Sequence, residues 1–193
     1  MEENRQRPNK GPIVVTGASG GVGNLAVDIF ASRGYEVVAV TGKQAQVDKL
    51  KQLGANRVLM RNEIDLDHRP LESARWGGAV DTVGGDTLSW LTATTREWGN
   101  IASIGLAANH KFNGSVMPFI LRGVSLLGIS STNCPCALRH RIWNRLGHEL
   151  KPQHLAKIHY KTVGLGELMD HFEVMLDRKS EGRTVVSIKE DKS

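Results

Sequence analysis

The run Ile13-Val-Val-Thr-Gly-Ala-Ser-Gly-Gly-Val-Gly23 constrains the fold more than any other stretch, because a β-branched run passes directly into four glycines and then a helical pattern. A strand that turns sharply, lets its backbone approach a ligand and then packs a helix tightly against itself needs glycine at three places. Gly17, Gly20 and Gly23 have that spacing. Beyond the turn, Val22, Leu25, Ala26, Ile29 and Phe30 recur at helical intervals and predict one apolar helix face. The free amides and dipole of that helix would point back at the turn, where a dinucleotide pyrophosphate is bound in strand-turn-helix units of this kind.

The alternation continues downstream. Residues 36–41 read as a second strand, 44–54 as a helix, 57–60 as a third strand and 65–76 as a helix or irregular crossover. A fourth strand is expected at 79–83, a helix at 86–97 with Asp86 near its N-cap, and further strands at 100–104 and 124–129. Strands alternating with helices predict an α/β fold, a doubly wound parallel sheet of the Rossmann kind. The last third reads differently. Residues 137–150 are helical, 158–163 strand-like, and Leu165, Leu168, Met169, Phe172, Met175 and Leu176 define another apolar helix face. The final run 184–188 is an apolar strand with no place in the parallel order, so it asks for a partner. The expected organisation is a frayed N-terminus over 1–11, a Rossmann domain over 12–135 and a C-terminal helix/strand extension packed on it over 136–193.

At 193 residues the chain has room for one main core, and no apolar run approaches the roughly 18 residues of a membrane helix. Residues 1–12 lack the apolar centre of a secretory signal, which predicts a cytoplasmic protein without a membrane partner. Cys134 and Cys136 are the only cysteines, and without His140 or His148 they cannot complete a four-ligand metal site. Two ordinary thiols and no metal are expected. A net charge of +5 raises nucleic acid as a partner, the more so because Arg139, His140, Arg141, Arg145 and His148 crowd one segment. Yet Leu138, Ile142, Leu146 and Leu150 recur there at four-residue steps, as in an amphipathic helix with a solvated basic face. No nucleic-acid partner is expected, since phosphate groups on a small ligand suffice to explain a positive surface.

An NAD enzyme of this fold carries an acidic residue at the end of its second strand to bind the ribose 2'-hydroxyl. Here that place holds Thr41-Gly42-Lys43. A hydroxyl, an open amide and an ammonium favour a 2'-phosphate and so NADP(H); the alternative is a Lys43 merely solvated beyond a strand end. Thr16-Gly-Ala-Ser-Gly-Gly-Val-Gly23 also fits the glycine pattern of short-chain dehydrogenases. Their catalytic Tyr-x-x-x-Lys is absent, because Tyr35 is followed four positions later by Ala39 and Tyr160 by Gly164.

From Gly11 to Ile188 the chain resembles the cofactor half of the zinc-independent medium-chain dehydrogenase/reductase superfamily, in its acrylyl-CoA reductase and quinone oxidoreductase-like subgroup. The resemblance rests on residues 11–23, Leu50-Lys-Gln-Leu-Gly-Ala55, Val80-Asp-Thr-Val-Gly-Gly85, Gly105-Leu-Ala107, Met117-Pro-Phe-Ile-Leu-Arg-Gly123 and Glu181-Gly-Arg-Thr-Val-Val186, in that order. It implies that Gly20, Gly21, Val22 and Gly23 touch the pyrophosphate, that Thr41, Gly42 and Lys43 surround the 2'-phosphate, and that Arg61 assists at the adenosine end. It further implies that Leu106, Ile120 and Ser131 line the nicotinamide end. Core packing is the alternative for Leu106 and Ile120, as a strand-end surface charge is for Arg61.

The same resemblance implies a hydride transfer from NADPH to an acyl-CoA thioester alkene or a quinone. It also implies a GroES-like catalytic domain that this chain lacks, and to which the final strand would return. No residue of the chain presents itself as catalytic: His110 reads as a loop histidine, and Glu97 and Asp81 as structural groups. A non-catalytic nucleotide-binding or oligomerising module is the competing expectation. An apolar edge strand at 124–129 predicts a homodimer.

Overall fold

The computed structural model describes residues 1–177 and 179–188, so the last five positions of the expected 136–193 extension lie outside the described residues. Six strands, β1 (Ile13–Val15), β2 (Val37–Thr41), β3 (Arg57–Met60), β4 (Trp76–Asp81), β5 (Thr95–Ser103) and β6 (Ser125–Gly128), form one parallel sheet. Their order is β3-β2-β1-β4-β5-β6, the doubly wound arrangement predicted from the alternation. The order reverses between β1 and β4. At such a switch point the connections leave in opposite directions and open a crevice at the carboxyl ends of the strands.

Two apolar layers flank the sheet, as near-continuous buried runs demand. On one side Ile13, Val15, Val37 and Ala39 pack with Val27 of α1 (Gly21–Ser32) and Leu50 of α2 (Val47–Gln52). On the other, Val14, Val38, Val40, Ala79 and Ile101 meet Leu88, Trp90 and Leu91 of α3 (Gly85–Thr94). The expected apolar face of α1 is rotated. Gly23, Asn24, Val27 and Asp28 are its buried residues, while Val22 is exposed and Leu25, Ala26 and Phe30 are only partly covered. The cause is Gly23: a Cβ there would lie 2.4 Å from the Gly17 carbonyl oxygen, so this face is the one drawn onto the turn.

Several boundaries differ from those read in the sequence. The 65–76 crossover is irregular beyond a short turn at Arg61–Glu63, and β4 starts at Trp76, ahead of the expected Ala79. The helix expected to reach Glu97 stops at Thr94, because Thr95 already pairs with Trp76. A helix not foreseen, α4 (Met117–Arg122), precedes β6. It is braced by Arg122, whose guanidinium donates to the carbonyls of Ala93 and Thr95 at 2.9 and 3.2 Å and to that of Glu72 at 2.5 Å.

The N-terminal segment, expected to fray, is tied to the sheet. Gln6 is wholly buried; its Nε2 donates to the Gly77 carbonyl at 3.1 Å and its Oε1 accepts from Asn100 Nδ2 at 2.8 Å. Tyr35 Oη donates to the Gln6 carbonyl at 3.1 Å.

The final strand has a partner within the chain. After α5 (Cys136–Gly147) and α6 (Leu155–Ile158), strand β7 (His159–Gly164) pairs in parallel with β8 (Arg183–Ser187), and α7 (Leu168–Leu176) makes the crossover. This unit is fastened to α1 by the buried Asp28, which accepts from the His154 amide at 2.9 Å and lies 2.9 Å from His154 Nδ1. The apolar face expected on α7 does not pack inward: Met169, Phe172, Met175 and Leu176 are exposed and His171 is buried in their stead. β8 likewise leaves Val185 and Val186 exposed.

Candidate functional site

The site is built on the β1 turn. Thr16 Oγ1 donates to the buried Asp81 carboxylate at 2.6 Å, and Asp81 also accepts from the Val83 and Gly84 amides at 3.2 and 2.9 Å. One side chain thus fixes both lips of the crevice between β1 and β4. Gly17 takes φ +57°, and a Cβ on it would meet Thr82 Oγ1 at 2.3 Å. The turn closes through the Gly20 amide on the Gly17 carbonyl and opens into α1, whose first amides have no partner within the helix. Asn24, fully buried, donates to the Ala18 carbonyl at 2.6 Å while its Oδ1 has no partner among the described residues. Glycines at 20, 21 and 23 at the start of a helix are an arrangement suited to a pyrophosphate.

Beside this cradle lies the end of β2. Thr41 Oγ1 donates to Ser19 Oγ at 3.0 Å and accepts from the Lys43 amide at 3.1 Å. Gly42 faces Arg61, whose guanidinium carbon is 3.9 Å from where a Gly42 Cβ would stand. Thr41, Gly42, Lys43 and Arg61 therefore gather at one strand end, and Arg61 makes no ion pair among the described residues. Two cations beside a hydroxyl and an open turn make a pocket chemically suited to a phosphate dianion.

The structure adds residues that the sequence reading missed. The segment Ser180-Glu181-Gly182-Arg183 crosses the mouth of the cradle: the Gly182 amide donates to the Ser19 carbonyl at 3.1 Å, and Gly20 bridges to Gly182. Arg183 lies against Gly21, its Nε 2.7 Å from where a Cβ would stand. Lys43 Nζ donates to the Ser180 carbonyl at 2.5 Å, and the buried Gln46 donates through Nε2 to Glu181 at 2.5 Å. The signal available in the sequence was the unplaced final strand, whose start had to lie against something.

Leu106 follows the carboxyl end of β5 and Ser131 that of β6, whereas Ile120 sits in α4, which leads back to the amino end of β6. Leu106 follows Gly105, which sits against the Thr82 carbonyl. Leu106 is 66% and Ile120 75% exposed, which removes core packing as their role in this chain. The carbonyl of Ser131 accepts from Arg139 Nη2 at 2.8 Å, so the first turns of α5 hold the loop that carries it. His110 is exposed. Cys136 Sγ lies 3.7 Å from His140 Nε2, and no group of three or more His, Cys, Asp or Glu side chains among the described residues is placed to hold a metal ion.

The profile of the zinc-binding dehydrogenase family matches residues 21–144, well over half of the chain. The chain belongs to that family. Within it, the chain is 42% identical over 189 residues to YhfP of Bacillus subtilis, whose name places it provisionally among the quinone oxidoreductases. It is 40% identical over 189 residues to the acrylyl-CoA reductase AcuI of Ruegeria pomeroyi. Each alignment covers 97% of this chain and 57% of the relative, so the chain spans little more than half the length of the curated relatives it matches. The yhdH oxidoreductase of Salmonella enterica, solved in complex with NADP, superposes with a TM-score of 0.93 at 40% identity, over 97% of this chain and 57% of that one. B. subtilis yhfP, solved with NAD bound, gives the same score at 42% identity and the same coverage. These matches bear out the resemblance to the acrylyl-CoA reductase and quinone oxidoreductase-like subgroup.

Proposed function

We propose that this chain is the cofactor-binding part of an NADPH-dependent oxidoreductase of the acrylyl-CoA reductase or quinone oxidoreductase type. The observation that carries the reading is the meeting of Thr41, Gly42, Lys43 and Arg61 at the end of β2, where the strand's own sequence supplies no acid, beside a glycine cradle. The backbone of Gly20 to Gly23 holds the pyrophosphate, Lys43 and Arg61 take the 2'-phosphate, and Arg183 adds a cation from across the turn. Leu106 and Ser131, beyond the carboxyl ends of β5 and β6, orient the nicotinamide together with Ile120 of α4. When bound, NADPH supplies a hydride to an activated alkene such as an acyl-CoA thioester, or to a quinone. The chain's own contribution is to bind and aim the cofactor.

Binding without turnover is the behaviour we expect of this polypeptide alone, because the side chains at its nicotinamide end stand in solvent. The exposed faces of α7 and β8 are suited to packing against further domain structure, and β6, at the sheet edge, to pairing with a second copy. A non-catalytic module is the second reading, favoured by the same openness. We place the protein in the cytoplasm; no described helix is long and apolar enough to cross a membrane. Fluorescence titration with NADPH tests the cradle, and NADPH consumption with acrylyl-CoA or a quinone tests catalysis. Saturable NADPH binding supports the reading; no binding at millimolar NADPH contradicts it.

A further inference from the structure

We propose that Glu181 is a specificity-determining residue of the cofactor site, an acid supplied from outside β2 that weakens the preference for a 2'-phosphate. This rests on the reading of Lys43 and Arg61 as the 2'-phosphate pocket. Glu181 brings a carboxylate to the turn that follows β2, which carries none of its own. The Ser180 carbonyl takes the Lys43 ammonium, and the next residue's carboxylate takes the Gln46 amide, so both residues of this dipeptide sit on the turn that follows β2. Gln46 is buried, and its Nε2 donates to Glu181 Oε2 at 2.5 Å, which holds the carboxylate against this turn. Glu181 forms no ion pair among the described residues, although Lys49 Nζ comes within 3.2 Å of where a Gly182 Cβ would stand.

Two consequences follow from charge alone. A 2'-phosphate dianion must approach a carboxylate and draw Lys43 from the Ser180 carbonyl, whereas a 2'-hydroxyl meets neither cost and gains an acceptor. Specificity of this sort arises as much from the repulsive element as from the attractive one. The chain therefore binds NADPH more tightly than NADH by a smaller margin than its two cations alone would give.

The test uses the full chain, titrated by fluorescence with NADPH and NADH, and by competition with 2'-AMP and 5'-AMP. Glu181→Gln keeps the length of the side chain and its bond to Gln46 but removes the charge; Glu181→Ser removes both. In each variant the ratio of NADH to NADPH dissociation constants rises roughly three- to tenfold, as expected for one nearby like charge partly screened by water. 2'-AMP gains in parallel and 5'-AMP does not. An unchanged ratio in both variants, with the wild type still preferring NADPH, overturns the inference and leaves the pocket reading intact. Weaker NADPH binding in both variants also overturns it, since Glu181 would then serve to position Lys43. A wild type that prefers NADH overturns the pocket reading itself and the inference with it.

Discussion

Thr16 and Asp81 are joined across neighbouring strands by a 2.6 Å hydrogen bond, both side chains wholly buried, and the remaining lone pairs of Asp81 hold the Val83 and Gly84 amides. One carboxylate thereby ties the end of β1 to the end of β4, where the sheet reverses order. Removing it strands two buried donors, Thr16 Oγ1 and the Gly84 amide, and the half-buried Val83 amide. Asp81→Ala is expected to cost about 2–4 kcal/mol, measured by urea denaturation followed by tryptophan fluorescence, with Asp81→Asn costing less. A change below half a kilocalorie would mean that water replaces the carboxylate and that it does not organise the crevice.

Gly23 tests the cradle sterically. A methyl group there meets backbone, the Gly17 oxygen at 2.4 Å and the Ala18 Cα at 2.6 Å, and neither can yield without opening the turn. Gly23→Ala is expected to destabilise by roughly 1–3 kcal/mol and to weaken NADPH binding more than tenfold. Gly147, in α5 with nothing near its absent side chain, is the control: Gly147→Ala leaves binding unchanged and stabilises slightly. Equal effects at the two positions would contradict the turn geometry.

Acid should loosen the N-terminal segment. Arg145 hydrogen-bonds Glu2 and lowers its pKa below the usual 4.5, and Glu149, on the same guanidinium, shifts the same way. A carboxyl whose folded pKa is depressed contributes stability above its unfolded value and loses it as pH falls through the folded one. The melting-temperature gap between wild type and Glu2→Gln is therefore expected to be full at pH 7, and to shrink as pH drops below about 4.5. The Arg69–Glu72 pair stays ionised through most of that range, because Arg69 holds Glu72 at about 2. A gap independent of pH would show that Glu2 acts through packing alone.

The edge position of β6 leads to a test of assembly. Leu126 is 36% exposed on a strand that pairs on one side only among the described residues. A solution mass of two chains is expected by light scattering at tens of micromolar, and Leu126→Lys is expected to shift it to one. A monomer at every concentration would contradict the proposed homodimer.

Much of this could be read in the sequence because buried parallel strands are nearly continuous β-branched runs, as at 13–15 and 37–41. β4 was misplaced because it begins Trp76-Gly77-Gly78, where small residues make room for the buried N-terminal segment and give no strand signal. α4 carried its own marks, Pro118 in the first turn and Gly123 at the left-handed cap, but six residues are too few for periodicity. Thr41, Gly42 and Lys43 could be read from the end of the second strand, and Arg61 only from the family resemblance. Residues 180–183 could not, since their approach to Ser19, Gly20 and Lys43 depends on a parallel pairing of β7 with β8 across a long crossover.

The central claim is that the end of β2 selects a 2'-phosphate, and Lys43 carries it most directly. The ratio of NADH to NADPH dissociation constants, measured by fluorescence titration of wild type and Lys43→Met, decides it. We expect the wild type to bind NADPH more tightly, and Lys43→Met to lose roughly tenfold in NADPH affinity while NADH changes less than threefold. A wild type that binds NADH more tightly, or a variant in which both cofactors weaken alike, would contradict the account.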